Sequence, residues 1–236
     1  RLGSVVSKNL IRGSNQRCIV VHGTDAVLVE DNVAYDTIGH CYINENGVEE
    51  DIVFRRNFGA LTLIQPKERG IGESDDRAYT FWFSNPNVRV EGNVAAGARL
   101  GGFWYETFEH HPHGPYEHWP EYSDFIPKKR PFGTFIDNVV HSCGERGIRM
   151  YSPGYHSPHP FAFINTRSYK NYDHGIFIHG VQNMILDGGV FADNRIGIRN
   201  FNGRTIVRNL EILVTSDRVR RRDPEGCHGT TGIQQR

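Results

Sequence analysis

Long apolar runs are missing from this chain of 236 residues. None approaches the roughly 20 residues that a helix needs to cross a bilayer. Net charge is missing too: 27 Lys and Arg balance 27 Asp and Glu, which implies no electrostatic footprint for nucleic acid or a membrane surface. Cysteine is scarce, and four residues (Cys18, Cys41, Cys143 and Cys227) are too few and too spread for a disulfide framework. The chain opens RLGSVVSKNL, without an apolar signal core or an initiator Met, so it is expected to be a piece of something longer. Helical 3.6-residue periodicity is also absent.

What is present is glycine (26), histidine (12), aromatics (11%) and short Val/Ile/Phe-rich runs, a strand-and-turn composition. These recur in a fixed frame. Asn9, Asn32, Asn57, Asn93 and Asn138 anchor it, and Thr166 and Gly188 continue it. Nine residues on stands a small residue: Cys18, Cys41, Gly102, Gly147, Gly175 or Gly197. An apolar strand follows, starting at Ile19, Tyr42, Phe103, Ile148, Ile176 and Ile198. The Asn57 copy has Pro66 at the small position, so its strand is expected to be displaced into AYTFWF (Ala78 to Phe83). Insertions at about Leu61–Asp76 and Glu106–Phe132 lengthen two copies; elsewhere the period is 22 to 28 residues. Neither a leucine-rich signature nor a propeller-length blade is present.

The period predicts an all-β fold, a single-stranded right-handed parallel β-helix of about seven coils with two loop insertions. Residues 1–210 make the β-helix domain, and 211–236 a truncated last coil or connecting tail. Coils about 4.8 Å apart stack equivalent residues into ladders. The Ile19 to Ile198 ladder should face the core. The asparagines should ladder at a turn, where Asn tolerates left-handed backbone. Cys18 and Cys41, neighbours on one ladder, are expected to be small reduced core thiols.

Alternation turns Val20, Ile43, Trp104, Arg149, Phe177 and Arg199 outward, and His22, Glu45, Glu106, Tyr151, His179 and Phe201 follow two residues later. Aromatic planes beside carboxylates and arginines suit a glycan: sugar rings stack on aromatics, and uronate carboxylates pair with Arg forks. Trp104, Arg149, Tyr151 and Phe177 are the candidate substrate contacts, with His40 and His174 at the turn before the strand. The blander alternative is that loops cover these positions and their charges pair among themselves. Glycosidic cleavage usually needs two carboxyl groups flanking the bond, and Glu45 and Glu106 qualify by column. His22 and His179 complete the candidate catalytic set. A lyase would instead use His179 or Tyr151 as base with Arg149 as neutraliser; sequence leaves hydrolase and lyase both open.

No motif fixes a cofactor. EHHPHGPYEHW (Glu109 to Trp119) gathers metal-binding residue types without a zinc spacing, and a loop lining the groove is the stronger reading. NENGVEED (Asn44 to Asp51) makes calcium a candidate ion, against an ordinary acidic turn. RVRRRD (Arg218 to Asp223) reads as a solvated tail or a severed connection.

The run RCIVVHGTDAVLVEDNVAYDTIGHCYINENGVEEDIVFRRNFG (Arg17 to Gly59) resembles the β-helix region of the family of cell-surface hyaluronidases, cell-migration-inducing hyaluronan-binding proteins and fibrocystin-L. FWFSNPN, NVAAGARLGGFWY and NVVHSCGERGIRMY match it in the same order. His22-Gly23-Thr24, Gly39-His40-Cys41 and Gly102-Phe103-Trp104 are the most specific pieces. The resemblance implies an extracellular or cell-surface β-helix that binds hyaluronan or a related uronate glycan and depolymerises it in some members. It equally implies a non-catalytic structural ectodomain of the fibrocystin-L type. Against that family, the insertion after Leu61 is short. A G8-type domain and a membrane anchor are expected to lie outside these residues.

Overall fold

The computed structural model describes residues 3–70, 74–109, 122, 124–151, 155–214 and 231–235. Strands dominate, every strand pairing is parallel, and each joins a strand to its counterpart one coil away. The coil that starts at Val27 shows the plan, with strands Val27–Glu30, Val33–Ile38 and Tyr42–Asn44 separated by short corners. Strands of the first two kinds form one thirteen-stranded sheet, and those of the third kind an eight-stranded sheet. The repeat therefore folds as a parallel β-helix. Strand Thr231–Gln235 pairs with Ile196–Phe201 and extends the eight-stranded sheet past residue 211.

The corner between the first and second strands explains the asparagines. Asn9, Asn32, Asn57, Asn93 and Asn138 form a ladder in which each side-chain oxygen accepts the backbone N–H of the asparagine one coil earlier, at 2.9 to 3.2 Å. All but Asn9 are buried, so the ladder satisfies polar groups that would otherwise be stranded in the interior. The left-handed residue is not the asparagine, as expected, but the one before it: Lys8, Asp31, Arg56, Gly92, Asp137, Asn165 and Gly188 all have positive φ. This also corrects the frame by one residue at its end. Gly188 turns the corner, and Gly189 pairs with Thr166.

The core ladder is Ile19, Tyr42, Phe81, Phe103, Ile148, Ile176 and Ile198, in register across the eight-stranded sheet. Phe81 enters from the displaced strand Tyr79–Phe83. Its ring stacks between Tyr42 and Phe103, with centroids 4.7 Å away on both sides. Each fully buried ring or aliphatic chain here contributes about 1.5–3 kcal/mol. The small position is small for a steric reason. A Cβ on Gly147 would lie 2.4 Å from Ser168 Oγ and 2.6 Å from the Gly175 carbonyl oxygen.

One expectation for this ladder is overturned. Cys18 and Cys41 are not reduced thiols but a disulfide, with Cα atoms 4.5 Å apart. Equivalent positions on adjacent coils sit one strand spacing apart, which is inside the range a disulfide spans.

Candidate functional site

Three columns run up the outer face of the eight-stranded sheet. The first holds Arg17, His40, Tyr79, Gly101, Arg146 and His174. The second holds Val20, Ile43, Trp82, Trp104, Arg149, Phe177 and Arg199. The third, at or just past the strand ends, holds His22, Glu45, Ser84, Glu106, Tyr151, His179 and Phe201.

The middle coils of this face are closed, although Val20 and His22 at the chain-start end are exposed. Ile43, Tyr79, Trp82 and Trp104 form an apolar cluster of their own, joined by Leu100 and Phe108. Trp104, expected to stack a substrate, is fully buried. Arg77 from the first insertion lies over its ring, and so does Arg149, whose guanidinium carbon is 4.3 Å from the ring centre. His40, expected in a cleft, is also buried. Its Nδ1 accepts the Tyr79 N–H at 3.0 Å, which leaves Nε2 to donate to Ser74 Oγ at 3.1 Å, and its ring stacks on Trp82 at 5.1 Å. Burial pushes the His40 pKa down to about 4, with Arg17 adding to the effect and Asp75 opposing it. That tautomer makes His40 a clasp for the first insertion and not a base for Ser74.

The far half is open. Phe177 and His179 are half-buried while Ile176 and Ile178 are fully inside, as strand alternation requires. Tyr151 stacks on His179 at 4.9 Å, and His179 meets Phe201 edge-on at 4.7 Å. Arg149 lies 4.8 Å from the Tyr151 ring centre, and Arg146 and Arg199 lie 5.1 and 5.7 Å from that of Phe177. Arg146 is paired with Glu145. Arg149 and Arg199 have no carboxylate partner among the described residues. His174, expected at a turn or in a cleft, is a buried strand residue. It sits between Asp173, whose Oδ2 is 2.6 Å from its Nδ1, and Arg199, whose Nη1 is 3.5 Å from its Nε2. Burial raises the Asp173 carboxyl, but the His174 and Arg195 donors outweigh it and hold its pKa at about 2.

The four residues assigned to catalysis are not gathered into one cleft. Glu45 is hydrogen-bonded to Arg17 and to His22 Nδ1, the latter at 2.9 Å. Glu106, two coils on with Ser84 between, accepts the Trp82 indole N–H at 2.9 Å. His179 stands two coils beyond Glu106, among aromatic rings. In the acidic turn, Glu49 accepts the amides of Gly23 and Asn46 and the side chain of Asn44, and Glu50 binds Arg130. Among the described residues no group of three or more His, Cys, Asp or Glu side chains is placed to hold a metal. The histidines from His110 to His118, and Arg218 to Asp223, lie outside the described residues.

Sequence reasoning missed Trp82, the Arg17–Glu45–Asp75 grouping and the Asn171–Asn194 ladder. Trp82 was findable. Once Phe81 takes the core position in AYTFWF, the next residue falls in the second column.

The profile of the CEMIP beta-helix family matches residues 1–148. The chain is 31% identical over 242 residues to the Cell migration-inducing and hyaluronan-binding protein of Mus musculus, an alignment covering 80% of this chain and 17% of the relative. It is 27% identical over 239 residues to the Cell surface hyaluronidase CEMIP2 of Homo sapiens, with the same coverage of each. It is 33% identical over 156 residues to the Fibrocystin-L of Mus musculus, covering 64% of this chain and 4% of the relative. The chain thus spans about a sixth of the length of the first two relatives.

Proposed function

The chain belongs to the CEMIP beta-helix family, and on that premise we propose that it is an extracellular β-helix module that binds a uronate-bearing glycan of the hyaluronan type. The observation that carries this is the pair of guanidinium groups, Arg149 and Arg199, held against aromatic rings on the sheet face with no carboxylate partner among the described residues. An arginine so placed keeps its planar fork for an incoming carboxylate, and the neighbouring Tyr151, His179 and Phe201 offer apolar ring faces to sugars. The names of two relatives, one hyaluronan-binding and one a hyaluronidase, agree in ligand class. The Cys18–Cys41 disulfide suits an oxidising compartment and so supports an extracellular placement.

Cleavage of the bound chain is a second reading, favoured by the Glu45–His22 pair, a carboxylate hydrogen-bonded to an exposed imidazole. Glu106 and His179 are its other candidate residues. The competing class is a structural ectodomain that binds no glycan. Size-defined hyaluronan, incubated with the protein with and without calcium, separates the three: binding is followed by titration calorimetry and chain length by light scattering. Saturable binding at unchanged length supports the binding module, and shortening supports cleavage. Absence of both leaves the structural ectodomain.

A further inference from the structure

The second strand of each coil presents a face of a different kind, with two outward columns. Leu10, Val33, Phe58, Val94 and Val139 make the first, and Arg12, Tyr35, Ala60, Ala96, His141 and Tyr169 the second. From Val33 to His141 neither column carries an Asp, Glu, Lys or Arg. The first strands of the same sheet meet water with paired charges instead, Glu30 with Arg55 and Asp187 with Arg208. Leu10, Val33, Tyr35 and Phe58 are nevertheless exposed, Leu10 to 75%. A contiguous apolar face left open marks a surface that another molecule covers.

The corner that follows these columns carries a second observation. Gly13, Asp36, Gly97, Ser142 and Lys170 turn it in their coils, all with positive φ. In the remaining coil the same position is Leu61, at φ 52° and 39% exposed. A branched apolar side chain is disfavoured in that conformation, and folding recovers only part of the cost while the leucine stays in contact with water. We propose that this face joins two copies of the chain in a two-fold dimer. The solenoid axes run antiparallel, and the symmetry axis passes between the Phe58 and Val94 coils. In that register Phe58 of one copy meets Val94 of the other, Val33 meets Val139, and Ala60 meets Ala96. Tyr35 faces His141, whose ring already stacks on Tyr169 at 4.9 Å, and Arg12 lies over that tyrosine. The two Leu61 side chains meet beside the axis, each above Gly97 of the other copy, where no side chain stands in the way.

Charge favours a second copy over other occupants. Asp36 and Lys170 stand at the same corner and make no ion pair among the described residues. With the coils reversed, Asp36 falls opposite Ser142 of the other copy, one coil from its Lys170. Two Asp36–Lys170 pairs therefore flank the apolar centre. No like charges meet in register, since Arg12 faces Tyr169 and Arg167 faces Leu10. The six coils span roughly 24 Å. They bring together about eighteen residues from each copy, just under the 20–30 of a standard interface. The dimer is accordingly weak, on the order of micromolar. It uses the thirteen-stranded sheet, so the outer columns of the eight-stranded sheet take no part in it.

The test is sedimentation equilibrium of the 236-residue chain at concentrations spanning the micromolar range. The wild type should show a reversible monomer–dimer equilibrium. Leu61→Asn should weaken it roughly tenfold or more, as loss of a central apolar contact does. The same variant should leave the thermal midpoint unchanged or higher, because Asn tolerates the left-handed corner. A leucine that served only the fold would give the opposite pair of results. Asp36→Lys and Lys170→Asp should each weaken the dimer, and the double variant should recover it, as a pair made across the axis requires. Both substitutions suit the backbone, since Asp and Lys already occupy this corner. A monomer at every concentration overturns the proposal. So does a dimer indifferent to Leu61→Asn, which uses another surface. A double variant no tighter than the single ones overturns it as well, because it excludes this register.

Discussion

Acidification should loosen the fold through His40. Its ring is buried between Trp82 and the first insertion, Nδ1 is occupied by the Tyr79 amide, and Asp75, Arg17 and Trp104 complete its surroundings. A proton on Nδ1 must displace the Tyr79 hydrogen bond and place a cation beside Arg17. The folded-state pKa of about 4 lies below the ordinary 6.5. Between those values the unfolded chain holds the proton and the folded chain does not, so stability rises with pH across that window and is fully present above it. A fall through the whole window therefore costs on the order of 3 kcal/mol. Glu49 works in the opposite sense, because burial raises its carboxyl, but it is common to any two proteins that differ only at residue 40. The assay is urea unfolding followed by tryptophan fluorescence, at several pH values from about 7 to 4, for the wild type and His40→Gln. The variant should be the less stable protein at neutral pH and should lose less on acidification, so that the two curves converge. Parallel curves would refute the placement of His40 as a buried neutral clasp.

Replacing both Cys18 and Cys41 by serine should lower stability by about 3 kcal/mol, the chain-entropy value for a bridge spanning 23 residues, as read from denaturation midpoints; a loss below about 1 kcal/mol would argue that the thiols are unpaired. Asn93→Ala strands the Asn57 amide and the Phe54 carbonyl in the interior and should cost about 2–4 kcal/mol, whereas a solvated turn residue would cost almost nothing. Asp173→Asn should cost about 1 kcal/mol at neutral pH, because a carboxyl held at about 2 contributes stability above its unfolded value near 3.8, reduced by solvent screening of this partly solvated group. That difference should shrink as pH falls through about 4 to 2, and a difference independent of pH would contradict the pairing of Asp173 with His174 and Arg195.

The solenoid was legible because burial locks register. Six recurrences of a small residue and an apolar strand leave one way to stack Tyr42, Phe103, Ile148, Ile176 and Ile198, and a one-residue slip would expose them all. The outward columns followed from the same alternation, so Arg149, Tyr151, Phe177 and His179 were placed on the correct face. Which part of that face is open did not follow. Trp104 and His40 are covered by Arg77, Ser74 and Phe108, residues of insertions whose path no periodicity encodes. His174 is buried beside Phe177 of its own strand and Arg199 of the next coil, and the second contact crosses coils. Cys18 and Cys41 were legible as ladder neighbours on adjacent coils; what was missed is that one strand spacing is already within bonding reach of a disulfide.

The claim that Arg149 and Arg199 receive carboxylates is tested most directly by titrating the protein, at low ionic strength, with hyaluronan and with hyaluronan whose carboxyl groups have been reduced to alcohols. The two polymers share linkage and length and differ in the group the arginines are assigned to hold. Reduction should weaken binding roughly tenfold or more, and the Arg149→Gln, Arg199→Gln double variant should bind both polymers equally weakly. Equal affinity of the wild type for both polymers would contradict the account.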